Sequence, residues 1–213
     1  ADLDGLVARH GELVLGLVGD VRSATDMGLA VETATRQFGR LDAVVAAAGV
    51  IGASGPLWHV SDAQWDSVWS INVLGVRRLI EAAAPVLIAN GPHAHGRVVA
   101  LASHAGRVGH DQLAAYNAAK HAVVGMIRGV AKDLAPFGVT ANCVSPGSTR
   151  TAMLEASAAI YGLGSVDEFA AHQPSGRLLE TGEIAAAVAW LCSPAASGLT
   201  GADVPVDGAM SVG

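Results

Sequence analysis

Cysteine is nearly absent: Cys143 and Cys192 are the two in 213 residues. Two thiols cannot build a disulfide framework, and their spacing is not that of a metal site. Reduced thiols in a cytoplasmic protein are expected. Basic residues are also sparse. The 13 Lys and Arg are scattered along a chain of net charge −6, which gives no electrostatic reason to expect nucleic acid. No apolar run reaches the roughly 18 residues of a membrane-spanning helix, so no membrane is expected as a partner. The opening Ala1-Asp-Leu-Asp-Gly5 does not read as a signal peptide. Linkers, internal repeats and low-complexity tracts are missing as well, so residues 1–213 read as one domain.

Two catalytic classes fall away for similar reasons. Ser103 and His104, with His110 and Asp111, invite reading as a hydrolase triad. The Gly-x-Ser-x-Gly elbow is absent, however, and adjacent residues on extended chain point apart. His104 and His110 either shape a pocket wall or face solvent. His93 and His95 have no third ligand in view, so no metal is expected.

What is present suits tight helix-on-sheet packing: 51% apolar residues, 26 Gly and 15% charged residues. Patterning predicts a helix at 2–10, a strand at 13–18 and a helix at 23–38 capped by Ser23 or Thr25. A strand at 41–47 follows, then a long helix at 62–89 opened by the capping box Ser61-Asp-Ala-Gln64. Further on come a strand at 96–102, a helix at 113–137, a strand at 139–144, a helix at 183–192 and a strand at 203–206. Such alternation, with near-continuously apolar strands, predicts an α/β fold: a doubly wound parallel sheet in a three-layer sandwich. The stretch 148–176 is long for a connection and reads as a lid over a site, lined by Met153, Leu154, Ile160, Tyr161 and Phe169.

One constellation carries chemistry. Tyr116 and Lys120 stand at i and i+4 on a helix, one above the other. A phenol titrates near 10 and needs a neighbouring cation to work as acid or base near neutrality. Ser103 ends the apolar run Arg97-Val-Val-Ala-Leu-Ala102, at the carboxyl end of a strand, where open α/β sheets place ligands. The trio suits proton transfer to or from a carbinol or carbonyl oxygen.

These residues resemble the short-chain dehydrogenase/reductase family, in which a Ser precedes Tyr-x-x-x-Lys by the same interval. The resemblance makes Asn72, in Ser70-Ile-Asn-Val-Leu-Gly75, the fourth catalytic residue, holding a water that relays protons. It matches Asn142-Cys-Val-Ser-Pro-Gly-Ser-Thr-Arg-Thr151 to a Pro-Gly loop at the nicotinamide, with Pro146, Gly147, Thr149 and Thr151 as contacts. Gly19-Asp-Val21 resembles an adenine-contacting pair, Asp20 and Val21. Ala46-Ala-Ala-Gly49 stands where the family has Asn-Asn-Ala-Gly, so Ala46, Ala48 and Gly49 are expected at the cofactor. Leu199-Thr-Gly201 and Val206-Asp-Gly208 match the family's ending. The resemblance implies a Rossmann-like fold, NAD or NADP as cofactor, and a small alcohol or ketone as substrate. It also implies a homodimer or homotetramer through helices 62–89 and 113–137. Thr151 and Met153 are similar to the branch that oxidises dihydrodiols.

The family's Gly-rich strand-turn-helix is not found, and Asp2 to His10 resembles the helix before its third strand. The expectation is that the sequence lacks about one βαβ unit of the natural protein, leaving 13–18 without a neighbour and one side of 41–48 bare. A competing reading is a dehydrogenase-like binding protein without a dinucleotide site.

Overall fold

The computed structural model describes residues 3–212. Four parallel strands form its sheet: β1 (Ala43–Ala46), β2 (Arg97–Leu101), β3 (Thr140–Pro146) and β4 (Asp203–Val206), in the spatial order β1-β2-β3-β4. The register pairs Ala43 with Arg97, Arg97 with Thr140, and Cys143 with Asp203. Helices α1 (Leu3–His10), α2 (Ala24–Phe38), α3 (Asp62–Trp69), α4 (Gly75–Ala89), α5 (Ala114–Leu134), α6 (Ala152–Ile160) and α7 (Thr181–Cys192) alternate with them. Asp2, expected to start the first helix, lies outside the described residues.

Both sheet faces are covered, as the apolar strands predict. Val44, Val98, Ala100, Ala141 and Cys143 meet α2, α4 and α5 on one face, where Leu87 and Ile127 are wholly buried. Each such side chain contributes about 1.5–3 kcal/mol. Val99 and Val144, one residue out of step, point the other way and meet Ile184 and Leu191 of α7. Local signals decide the helix ends. Ser23 Oγ accepts from Asp26 N–H ahead of α2, and Ser61 and Gln64 form a reciprocal capping box ahead of α3.

Two expectations change. Helix 62–89 runs its full expected length but is not α throughout: Ser70–Leu74 forms a π turn between α3 and α4. Such turns cluster at functional sites, and this one carries Asn72. The strand at 13–18 does not form. Leu13 is 83% and Val18 96% exposed, and no strand among the described residues pairs with this segment. A strand needs a neighbour to satisfy its backbone groups, whatever its apolar content. β1 is correspondingly an edge strand, with Val45 38% exposed. Among the described residues no helix is long and apolar enough to cross a membrane.

Candidate active site

A cleft of about 880 Å³ opens at the carboxyl ends of the strands. Its walls come from the segment after β1 (Ala47, Gly49, Ile51), the turn after β2 (Ser103, His104), Tyr116 and Lys120 of α5, the loop after β3 (Pro146, Gly147, Thr149, Thr151) and the stretch that follows it. Met153, Leu154, Tyr161 and Phe169 make that last wall largely apolar. It is tied to the turn beside His110 by a hydrogen bond from Tyr161 Oη to the carbonyl of Asp111, 2.9 Å.

Ser103 is at the cleft because β2 ends two residues earlier, at Leu101, and a short 3-10 turn, His104–Gly106, turns the chain away. Ser103 Oγ accepts from Ala105 N–H and so caps that turn. Tyr116, on the first turns of α5, is buried. Burial pushes its phenol above the ordinary value, while the nearby Ser103 hydroxyl pulls the other way. Met153 Sδ lies 4.0 Å from its hydroxyl. One turn further along, Lys120 donates to the carbonyl of Leu101 at 2.7 Å, and its Nζ sits 5.6 Å from the centre of the Tyr116 ring. Taking the ammonium out of water pulls it down to about 8. In the protein alone, burial is thus the larger influence on both side chains, and the phenol is not yet lowered.

Asn72 is fully buried, and its side chain is spent on backbone. Nδ2 donates to the carbonyls of Val50 and Val68, each at 2.9 Å, and Oδ1 accepts from Val50 N–H at 3.1 Å. Neither amide hydrogen is left for a water. This one side chain braces the segment after β1. A Cβ on Gly49 would stand 2.9 Å from Asn72 Oδ1 and 3.6 Å from Lys120 Nζ, so glycine keeps this floor of the cleft open.

The expected cofactor contacts divide. Gly49, Pro146, Gly147, Thr149 and Thr151 line the cleft. Ala46 packs into the core and Ala48 is exposed, and neither lines it. Side chains alternate along the strand, and Val45, Ala47 and Gly49 take the cleft side. Asp20 and Val21 are not among the residues that line the cleft. Asp20 is ion-paired with Arg22 at 2.6 Å, which holds its carboxyl below the usual range, and Val21 packs on Gly75 of α4. Thr149 Oγ1 and Thr151 Oγ1 donate to the carbonyls of Gly147 and Thr149, shaping the loop.

Sequence reading missed the loop's main brace, Gln173. It is buried and donates to the carbonyls of Ser148 and Arg177, with its Oε1 against Gly147. Arg107 went unnoticed too: it ties the turn after Ser103 to Asp203 of β4 at 3.4 Å, and Asp203 also accepts from Ser145. Neither sits in a motif; each works through a partner distant in sequence.

The nicotinamide end of a dinucleotide suits this cleft: a glycine floor, an apolar wall and one buried cation. Among the described residues no Gly-rich turn before a helix stands beside β1 to take a pyrophosphate.

A parallel sheet with a Ser-Tyr-Lys cluster at its carboxyl end defines a class of α/β proteins, and comparison narrows it. A family model described as enoyl-(acyl carrier protein) reductase matches residues 1–211. The chain is 35% identical over 202 residues to the levodione reductase of Leifsonia aquatica, covering 93% of this chain and 74% of that one. It is 34% identical over 214 residues to a cis-2,3-dihydrobiphenyl-2,3-diol dehydrogenase of Pseudomonas putida, covering 95% and 76%. An NAD-dependent oxidoreductase of Mycobacterium tuberculosis matches at 35% over 207 residues, covering 94% and 74%. The crystal structure of levodione reductase superposes with a TM-score of 0.88 over 93% of this chain and 77% of that one, at 35% identity. The chain belongs to the short-chain dehydrogenase/reductase family.

Proposed function

We propose that this protein is an NAD- or NADP-dependent oxidoreductase that interconverts a secondary alcohol and a carbonyl. The observation that carries the reading is the meeting of Ser103, Tyr116 and Lys120 in one largely apolar cleft. When bound, the nicotinamide gives or takes the hydride; the side chains manage the proton and the oxygen. For reduction, Tyr116 donates its proton to the carbonyl oxygen as that oxygen becomes negative. For oxidation, its phenolate takes the carbinol proton. Ser103 holds the same oxygen in line. A protonated Lys120 favours the phenolate and binds the nicotinamide ribose. Asn72 fixes the cleft floor through Val50, so any water it positions is held through the π turn's backbone.

Gly49, Pro146, Gly147, Thr149 and Thr151 line the nicotinamide end in this reading. The relatives named for a dione and a dihydrodiol support a cyclic alcohol or ketone as substrate, and the protein works in the cytoplasm. A homodimer or homotetramer through α3–α4 and α5 fits the half-exposed Trp65, Trp69, Met126 and Val130. The rings of Trp65 and Trp69 lie nearly parallel there, with centres 6.4 Å apart.

Following cofactor fluorescence during turnover of cyclic ketones and diols by the full-length protein tests the reading. Tyr116→Phe keeps the ring and removes the proton, so turnover falls by about 10²-fold or more with cofactor affinity nearly unchanged. A protein that binds neither NADH nor NADPH is instead a dehydrogenase-like binding protein. A Tyr116→Phe variant that keeps most of the activity removes Tyr116 from the mechanism.

A further inference from the structure

Beside Ser103, the cleft wall holds a pair of imidazoles that the proton chemistry does not use. His104 Nδ1 and His110 Nε2 are 3.0 Å apart, and the rings meet edge-on with centres 5.2 Å apart. Both residues line the cleft. His104 is 7% exposed and its Nε2 is buried with no hydrogen-bond partner among the described residues. His110 Nδ1 makes no hydrogen bond among the described residues either. The loop that carries the pair is built to hold it: Asn117 of α5 donates to the carbonyl of His110 at 2.7 Å.

Proton counting defines what this pair offers. Burial and the neighbouring His104 push His110 below its ordinary value, which favours the neutral form of His110. Each neutral imidazole carries one N–H. One of the two protons lies between the rings; the other lies on one outer nitrogen, leaving the second outer nitrogen bare. If His104 donates to His110, His110 Nδ1 carries a proton and is a donor. If His110 donates to His104, His110 Nδ1 is an acceptor. A tautomer change alone switches the pair between a partner for a carbonyl and a partner for a hydroxyl.

Three hydroxyls of the cleft already spend their protons within the protein. Tyr161 Oη donates to Asp111, Ser157 Oγ to Met153, and Thr151 Oγ1 to Thr149. An oxygen buried against the apolar wall without a partner costs about 1–3 kcal/mol. We propose that the His104–His110 pair is a second oxygen anchor, so that the preferred substrates carry a hydroxyl or carbonyl besides the one that reacts at Tyr116. This deepens the oxidoreductase reading and rests on it for the position of the reacting oxygen.

The test compares vicinal cyclohexanediol with cyclohexanol on the full-length protein. His110→Phe keeps an aromatic ring without nitrogen at a half-exposed position. It lowers kcat/KM for the diol relative to that for cyclohexanol by about tenfold, the size of one hydrogen bond, and His110→Gln restores part of the difference. Imidazole nitrogen chemical shifts of the wild-type protein give a readout independent of turnover: they move on adding the diol and not on adding cyclohexanol. Failure to oxidise either compound counts against the oxidoreductase reading, while the imidazole signals still decide the anchor. Signals that ignore the diol, or a His110→Phe variant with an unchanged diol preference, overturn it.

Discussion

Lys120→Met separates stability from function and gives the sharpest check on the site. Lys120 is 5% exposed, and among the described residues its ammonium has one hydrogen bond, to the carbonyl of Leu101 at 2.7 Å, and no carboxylate ion-paired to it. Its pKa drops from 10.5 to about 8. At 1.36 kcal/mol per unit, burying the charged form costs about 3 kcal/mol. Methionine fills a similar volume without charge. Losing the hydrogen bond costs about 1 kcal/mol. The variant is therefore about 2 kcal/mol more stable than the parent at pH 7, yet it loses turnover and binds cofactor more weakly.

The pH dependence follows from the direction of the shift. Between about 8 and 10.5 the unfolded chain holds the lysine proton and the folded chain does not, so the parent gains stability as pH rises through this window. Below about 8 the full penalty is present. Methionine has no such dependence, so the variant's advantage is greatest near neutrality and disappears towards the upper end of the window. Urea denaturation of both proteins at matched pH values measures the difference. A variant less stable than the parent at pH 7, or a gap that does not narrow with pH, refutes the reasoning.

Asn72→Ala strands the carbonyls of Val50 and Val68 and the N–H of Val50, so it costs about 2–4 kcal/mol in chemical denaturation; a loss below about 1 kcal/mol means water replaces the amide. Gly147→Ala places a Cβ 2.8 Å from Asp207 Cα and 2.9 Å from Asp207 O. Backbone cannot retreat cheaply, so stability falls by about 2 kcal/mol and cofactor titration weakens; a calorimetric scan matching the parent counts against this close approach. Light scattering on the full-length protein gives the mass of a dimer or tetramer, and a monomer at micromolar concentration removes α3–α4 and α5 as an interface.

Much of this was legible along the chain because short-range geometry dictates it. The near-continuous apolar run Val98–Leu101 within β2 means a strand buried on both faces, whatever surrounds it. Tyr116 and Lys120 share a helix face because four residues make about one turn, and Ser103 reaches the same cleft because a strand ends just before it. The capping of α2 by Ser23 and of α3 by Ser61 is equally local.

The remainder depends on partners the local pattern does not name. The apolar segment 13–18 reads as a strand and is none, since strand pairing is a property of two segments. Ala46 and Ala47 look alike in sequence, and only the sheet's register sends one to the core and the other to the cleft. Asn72 reaches its Val50 partner across 22 residues, and Gln173 supports Ser148 across 25. His104 and His110 become a pair only because the turn after β2 folds back on itself. The direction of the Tyr116 and Lys120 shifts also came from tertiary structure: neighbouring charge can be guessed from spacing, but desolvation depends on everything packed around the group.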